Sequence, residues 1–416
     1  MEQYSNSSVD FITTILARVR ASTIKEGEGR FTYIIGNNGS GKSRALAEIA
    51  NRLGTKSKRR GDIVACIASS IHDRFRYGDS GNIRYLGARN ATNAVFMAGI
   101  ERSLAGYILE AMERDRRIFK AFTIAVGMDI TFEINEKSIA DLTLDTESLN
   151  RDAGRMQRKA STMGLLTRKS LTMLRRVAHG SGRFESLTPA QIPMLKDYLE
   201  ANIDLTLKIK LHDGLETNFG GLSTGEQNRI LTFAKIISVK EERTVFLIDE
   251  PELSLHLHWQ MDFHETLKEL LSGLQQYHVV VATHSPIIIS EAVKVDRTPA
   301  NAVTVLSYNT QSAKRSDALG NAESRVTAQT YSFIDVASHD QLVLKQFHTS
   351  PYETREVSIE ITDTILKHIE GLMDDQHAIS MLHELSATFG LSRQAKQQIT
   401  AAIQLIEKGL TKPFRD

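Results

Sequence analysis

The sequence predicts an α/β fold whose core is interrupted once by a mostly helical insertion and followed by a helical C-terminal region. Two observations carry this prediction. Short apolar segments typical of buried strands alternate with helical patterns, and a glycine-rich loop stands between the first such strand and the next helix. Since 416 residues exceed the usual size of one domain, we expect two core lobes at 1–138 and 205–334, an insertion at 139–204 and a C-terminal region at 335–416.

The composition excludes several classes of protein. Lys and Arg total 51 against 50 Asp and Glu, a net charge of +1, and 41% of the residues are hydrophobic, which argues against a disordered chain and against one that is basic throughout. Cys66 is the single cysteine, so a disulfide framework and a cysteine-based zinc site are both excluded. No apolar run approaches the ~18 residues of a membrane span, and the N-terminus lacks a signal-peptide pattern. We therefore expect a cytoplasmic protein without a membrane partner.

The core elements follow one another along the chain. The apolar run at 31–35 predicts a buried strand, and the helical pattern at 44–53 ends before Gly54, a natural C-cap. Segment 139–200 and the chain after residue 335 have helical patterns. Further strands are predicted at residues 62–68, 128–134, 205–211, 244–248 and 278–282.

The loop at residues 36–43 has the pattern G-x-x-x-x-G-K-[ST]. Its glycines let successive N–H groups point at phosphate oxygens, Lys42 supplies a positive charge, and the Ser43 hydroxyl can ligate Mg²⁺. The positive end of the following helix adds to the attraction. A surface turn is the alternative, but the expected strand and helix flank the loop. The predicted phosphate-binding residues are Asn37, Asn38, Gly39, Ser40, Gly41, Lys42 and Ser43.

Two carboxylates follow the predicted strand at 244–248. Asp249 would hold Mg²⁺ directly or through water, and Glu250 would polarise the attacking water. An acidic transition from strand to loop is common in α/β proteins and is the alternative. The phosphate loop upstream favours the catalytic interpretation.

Two further segments complete the pattern. Ser223 and the glycine N–H groups around it stand at a predicted helix start, where they can form a second anion site. Because one chain hardly needs two γ-phosphate sites, we expect this one to serve the nucleotide of a neighbouring subunit. His284 ends the last apolar strand and could hydrogen-bond a γ-phosphate, with a satisfied core histidine as the alternative.

The order and spacing of these four motifs resemble the ATP-binding-cassette (ABC-type) P-loop ATPases, in particular their soluble SMC-like, RecF-like and OLD-like branch. GNNGSGKS resembles the Walker A loop, LSTGEQ the signature motif, FLIDEP the Walker B motif and THSP the H-loop, with a D-loop at 252–256. The resemblance implies Mg²⁺-dependent ATP hydrolysis by two heads that sandwich two ATP molecules, and it allows a higher homo-oligomer. It assigns catalysis to Glu250 and His284. The ATP contacts that it implies in trans are Ser223, Gly225 and Glu226.

One element of the family is not placed by the sequence. Asn37, Asn38 and the stretch at 66–77 are the candidate contributors to the glutamine loop, and the sequence does not single out one of them. The element that couples ATP state to the rest of the molecule is therefore unassigned.

Chain length and one segment narrow the resemblance. The insertion is too short for the coiled coils of SMC proteins, and residues 300–416 lack the acidic cluster of OLD nucleases, so we expect no intrinsic nuclease. Residues 66–75, the length and the helical C-terminus resemble the ATPases of Septu and retron-associated anti-phage defence systems. That likeness implies an HNH nuclease as partner, and in retrons also a reverse transcriptase with its multicopy single-stranded DNA. RecF-like or SMC-like DNA repair is the alternative.

Residues 151–183 are strongly basic. They contain nine Arg and Lys residues and one acid, Asp152, which leaves a local charge of +8. Like charges at helical spacing repel, so we expect a nucleic-acid partner that relieves them. A solvated face paired with acids at 129–147 is the alternative. The candidate residues are Arg151, Arg155, Arg158, Lys159, Arg168, Lys169, Arg175 and Arg176. The C-terminal helices carry apolar stripes that either pack on the chain's own core or dock another subunit.

Overall fold

A computed structural model of the chain describes residues 8–24, 29–54, 63–89, 99–145, 149–211, 214–308, 326–335, 355–387, 391 and 393–408. The contacts divide the chain into two compact units. The smaller unit comprises residues 1–11, 33–42 and 284–416, and the larger unit comprises residues 12–32 and 43–283. Parallel strands alternate with helices along the chain, so the predicted α/β class is confirmed.

The strands are β1 (Arg30–Gly36), β2 (Ile63–Ala68), β3 (Ile83–Leu86), β4 (Asp129–Ile134), β5 (Leu205–Lys210), β6 (Glu216–Asn218), β7 (Thr244–Asp249), β8 (Tyr277–Thr283), β9 (Ala302–Tyr308) and β10 (Val326–Ser332). The helices are α1 (Ser8–Ile24), α2 (Lys42–Leu53), α3 (Ile100–Arg114), α4 (Ile118–Val126), α5 (Glu136–Asp141), α6 (Arg151–Thr162), α7 (Arg168–Ala178), α8 (Gln191–Glu200), α9 (Thr224–Ser238), α10 (Leu257–Leu270), α11 (Pro286–Val295), α12 (Arg355–Ile369), α13 (Asp375–Ser386) and α14 (Arg393–Glu407). None of the helices within the described ranges is long and apolar enough to cross a membrane.

The larger unit is built around four parallel strands in the order β8-β7-β2-β3. Every residue of β7 and β8 is buried, as is typical of parallel strands covered on both faces. In the register, Ala68 lies opposite Asp249, and Asp249 lies opposite Ala282. The carboxyl ends of β2, β7 and β8 therefore lie side by side at one edge.

A second, antiparallel sheet of the larger unit has the order β4-β5-β6. Buried residues alternate with less buried ones along β5, so one face of this strand packs inward and the other stays accessible. The stretch between β4 and β5 folds into helices α5 to α8. Phe132 of β4 contacts Phe184 in this stretch, with ring centroids 4.9 Å apart, and Tyr198 of α8 donates to Leu165 O at 2.6 Å.

The smaller unit contains an antiparallel pair, β9 and β10, in which β9 also neighbours β1. Helices α12 to α14 enclose an apolar cluster of their own that includes Ile361, Leu382 and Ile399. These helices confirm the predicted helical C-terminal region. The apolar stripes of these helices pack against one another and are covered in part. Ile359, Leu366 and Leu405 remain exposed.

Candidate functional site

The loop between β1 and α2 depends on its glycines. Gly39 and Gly41 have φ values of 80° and 94°, in the left-handed region that residues with a Cβ rarely adopt. A Cβ added to Gly36 would lie 2.5 Å from Leu306 O and 2.7 Å from Ser40 Oγ, so a larger side chain would clash there. The glycine pattern of the sequence is therefore required by this backbone path.

Lys42 opens α2 and is almost fully buried in the smaller unit. Its Nζ donates to Gly36 O at 2.8 Å and to Asn37 O at 3.2 Å. It also donates to His284 Nδ1 at 3.1 Å, and since an ammonium group can only donate, the ring nitrogen is the acceptor. The structure thus brings together the cation and the histidine that were predicted to face a γ-phosphate.

The Ser40 hydroxyl provides a test of whether a phosphate fits this loop. It is buried, and within the described part of the chain it has no hydrogen-bond partner. A buried hydroxyl left unpaired costs about 1–3 kcal/mol, and a phosphate oxygen would supply the missing acceptor. A Cβ added at Gly41 would meet nothing within 4 Å. The orphaned hydroxyl and the open space beside the loop both fit a bound phosphate group.

Asp249 ends β7 and is buried in the larger unit. Ser43 Oγ donates to its Oδ1 at 3.0 Å, so the two predicted Mg²⁺ ligands touch. Burial raises the pKa of Asp249 to about 7, the negative charges of Glu250, Asp73 and Glu252 add to the rise, and the hydrogen bond from Ser43 opposes it. A carboxylate that is costly to ionise, beside other acids, is a site that a divalent cation would stabilise.

Glu250 has an unusual backbone. Its φ is 49°, a left-handed conformation that is uncommon for a residue with a long side chain and that persists only where the surroundings enforce it. Its N–H donates to Ala282 O of β8 at 2.9 Å, which holds it at the end of the parallel strands. Two residues on, Glu252 Oε2 accepts from Thr283 Oγ1 at 2.8 Å. The acids after β7 are therefore fixed to the end of β8.

Ser223 is exposed and caps the N-terminus of α9. Its side chain accepts from the N–H of Glu226, and its own N–H donates to Glu226 Oε2 at 2.8 Å, a reciprocal capping box. Within the described residues no hydrogen bond joins Ser223 to Ser43 or Asp249.

The segment after Glu250 packs closely on the start of α9. A Cβ added to Gly225 would lie 2.4 Å from Ser254 O and 3.4 Å from the Trp259 ring. The Arg229 guanidinium lies over that ring, 5.0 Å from its centroid, and Asn228 Nδ2 donates to Leu253 O at 3.3 Å. The signature-like and D-loop-like segments therefore form one packed surface of the larger unit.

The remaining predicted residues fall into two groups. Asn37, Asn38 and Gly39 are exposed at the tip of the phosphate loop. All eight candidate nucleic-acid residues are exposed on α6 and α7. Sequence reasoning missed two buried groups: Asp73, in the segment after β2, and Lys235, inside the apolar stretch of α9. The lysine had a detectable signal, because a charged residue interrupts an otherwise apolar run there.

The comparisons with known proteins give similarities over part of the chain. Residues 132–290 match the family described as "AAA domain, putative AbiEii toxin, Type IV TA system". Protein ea59 of Escherichia phage lambda is 30% identical over 83 residues, which is 20% of this chain and 16% of that protein. A match among solved structures is a crystal structure from Pyrococcus furiosus, the Smc head domain with an extended coiled coil bound to the C-terminal domain of ScpA. The match has a TM-score of 0.25 and 12% identity, and it covers 57% of this chain and 58% of that one.

The chain thus spans less than two thirds of each of these two proteins. The family match covers the signature-like, Walker B-like and H-loop-like segments, and the loop at 36–43 lies upstream of it. The matched segment is thus similar to an AAA domain, and the geometry of the loop upstream of it fits a bound phosphate group.

Proposed function

We propose that the chain is an Mg²⁺-dependent ATPase that works as a switch, with two copies closing around two ATP molecules. The observation that carries this proposal is the hydrogen bond from the half-buried Ser43 to the buried Asp249, with Glu250 beside it in a left-handed conformation. Lys42 and Ser43 are the first two residues of α2. The start of one helix therefore supplies both the phosphate-binding cation and the first Mg²⁺ ligand. ATP and Mg²⁺, when bound, supply the labile phosphoanhydride and the charge that neutralises it.

Each residue then has a definite task. Lys42 and the orphaned Ser40 hydroxyl bind phosphate oxygens, and Ser43 and Asp249 hold the cation. Glu250 orients and polarises the attacking water. His284, whose Nδ1 accepts from Lys42, senses the loss of the terminal phosphate. Ser223, with Gly225 and Glu226, serves the nucleotide of the second copy from its exposed helix start.

The direct test is Glu250→Gln. It keeps the shape of the side chain and removes the carboxylate, so ATP binding should be preserved, hydrolysis should fall by about 100-fold or more, and the ATP-bound dimer should live longer. The measurements are phosphate release, ATP affinity and dimer lifetime by size-exclusion chromatography with light scattering. Turnover at the wild-type rate in this variant would contradict the assignment.

A scaffold that only binds ATP is the competing class of function. It predicts that Lys42→Ala disrupts assembly, while Glu250→Gln leaves the cellular function intact. An assay of that function with both variants, side by side, separates a hydrolysing switch from an ATP-held scaffold.

For the cellular role, we propose regulation of a separate HNH nuclease in anti-phage defence. The likeness of residues 66–75 and of the helical C-terminus to Septu and retron-associated ATPases supports this role. The description of the matched family also names a toxin of a Type IV TA system. If an HNH nuclease is encoded beside this chain, the two should co-purify, and the nuclease activity should change with the ATP state. A repair ATPase of the RecF or SMC kind, the runner-up, would need no such nuclease and should instead be stimulated by DNA.

We also propose that the basic face of α6 and α7 binds nucleic acid. Ala153, Met156 and Ala160 form the buried face of α6, while the basic residues lie on its exposed face. No ion pair to any of the eight basic residues occurs in the described part of the chain. Two of the acids at 129–147 have other partners: Glu133 lies 3.0 Å from Lys208, and Glu136 lies 3.8 Å from His179.

Lys159 Nζ donates to the backbone carbonyl of Glu200, but a basic face without acidic partners of this kind fits a phosphate backbone. The test replaces Arg155, Arg158 and Lys159 with Glu and measures binding to a DNA duplex across a salt series. Binding should weaken, and its salt dependence should flatten. The matched control reverses three basic residues that are already paired with acids, namely Arg52, Lys294 and Lys367. Equal effects of the two triple variants, or no effect of the first, would contradict the proposal and show that the basic face is only solvated.

A further inference from the structure

Lys235 is a buried cation in the middle of α9, the helix that begins at the signature-like Ser223. Its Nζ donates to Ala68 O at 2.9 Å, and this is its one hydrogen bond within the described residues. Burial lowers the pKa of Lys235 to about 8, and the Asp73 carboxylate opposes that change. An apolar residue would avoid the desolvation of an ammonium group at this position, so packing alone gives no reason for a lysine here.

The carbonyl that Lys235 holds stands next to the candidate cation site. Ala68 is the last residue of β2 and lies opposite Asp249, the last residue of β7. One turn earlier on α9, Thr232 Oγ1 lies 3.2 Å from Ser69 Oγ. Two neighbouring hydrogen bonds therefore fasten α9 to the point where β2 ends.

The segment that follows β2 is itself fixed by Asp73. This buried carboxylate accepts from the Phe75 N–H at 3.0 Å and from the Tyr85 hydroxyl at 2.9 Å, and it pairs with Arg89 at 2.7 Å. Its negative charge also contributes to the raised pKa of Asp249. Residues 68–75 therefore form a strap that starts beside the acidic end of β7, is hydrogen-bonded to α9 at Ala68 and Ser69, and is held further along by Asp73.

We propose that Lys235 is a positioning residue for hydrolysis: it ties the strap at residues 68–75, and with it the surroundings of Asp249, to the helix that carries Ser223. A shift of α9, when Ser223 engages the nucleotide of a second copy, is transmitted through this bond to the hydrolytic carboxylates. The inference rests on the proposed ATPase function and assigns it a coupling residue within one chain.

The test is Lys235→Met, which keeps the length of the side chain and removes its charge and its donors. Because the desolvated ammonium is gone, the variant should be at least as stable as the wild type. Because one of the two hydrogen bonds that hold the strap to α9 is lost, kcat should fall about tenfold or more while KM and ATP affinity change less than about twofold. Thr232→Val removes the neighbouring bond with little change of shape and should produce the same split between kcat and KM.

Lys240→Met is the matched control, since Lys240 also donates to a backbone carbonyl, Ser272 O at 2.8 Å. Its kcat should equal that of the wild type. A Lys235→Met enzyme with wild-type kcat, or with kcat and stability lowered together as in an ordinary packing defect, would overturn the proposal. Failure of the ATPase function itself looks different, because the wild type would then not hydrolyse ATP at all.

Discussion

Asp249→Asn should stabilise the nucleotide-free protein while it destroys the ATPase. Burial and three neighbouring carboxylates raise the pKa of Asp249 from its ordinary 3.8 to about 7, so ionising this group in the folded state is unfavourable. A tenfold change in an ionisation constant corresponds to about 1.4 kcal/mol, which gives an upper limit of about 4 kcal/mol at pH 8. Asparagine keeps the shape and can still accept the hydrogen bond from Ser43.

The sign of the pH dependence follows from linkage. A carboxyl whose pKa is higher in the folded state binds more protons there than in the unfolded state, so stability falls as pH rises from about 4 to about 7. The advantage of Asp249→Asn should therefore be greatest at pH 8 and fall to less than about 2 kcal/mol at pH 5. Bound Mg²⁺ reverses the balance for the wild type, because it stabilises the ionised carboxylate.

The assay is denaturant unfolding of the apo protein at pH 5 and pH 8, with Asp204→Asn as the control. Asp204 is largely exposed, 3.5 Å from Arg102, and its replacement should change stability by less than about 0.5 kcal/mol at both pH values. An Asp249→Asn variant that is less stable than the wild type at pH 8, or equally affected at both pH values, would refute the reasoning.

Two further predictions concern packing. Gly225→Ala should lower the free energy of unfolding by about 1–3 kcal/mol, because the new Cβ would lie 2.4 Å from Ser254 O. The control is Gly106→Ala in α3, where a Cβ meets nothing within 4 Å, and it should raise the free energy of unfolding by about 0.5–1 kcal/mol. Equal effects of the two variants in denaturant titrations would show that the contact with Ser254 does not matter. The thiol of Cys66 is buried, and its pKa is raised by that burial. A thiol reagent at pH 8 should therefore modify the native protein at least about 100-fold more slowly than the unfolded chain. Rapid labelling of the native protein would contradict the burial of β2.

The sequence predicted the elements whose side chains are apolar throughout. Strands such as β7 and β8 stand out because their sequences are largely apolar, and the glycines of the phosphate loop stand out because residues with a Cβ rarely adopt their backbone. Strands β3, β6, β9 and β10 escaped prediction: β3 has four residues that are mostly half-buried, β6 has only three residues, and β10 (VTAQTYS) mixes polar and small side chains. Pairing with a neighbour, which a single segment does not encode, forms these strands.

The candidate site was predictable to the same extent. Residue types at fixed spacing pointed to Lys42, Ser43 and Asp249, because phosphate and Mg²⁺ binding restrict the choice of side chain. The left-handed backbone of Glu250 was not predictable, since no glycine marks it and its hydrogen bond goes to Ala282 of β8, which is remote in sequence. The capping box of Ser223 and Glu226 follows the S-x-x-E pattern and could have been predicted. The partner of Lys235 could not, because Ala68 is remote in sequence.

Purified wild-type protein and Lys42→Ala, assayed side by side for Mg²⁺-dependent phosphate release from ATP, test the central claim most directly. The wild type should turn over ATP, and the variant should lose at least about 100-fold of that rate, because the ammonium that bonds to Gly36 O and His284 is gone. Turnover that survives in Lys42→Ala, or a wild-type protein that neither binds nor hydrolyses ATP, would contradict the account.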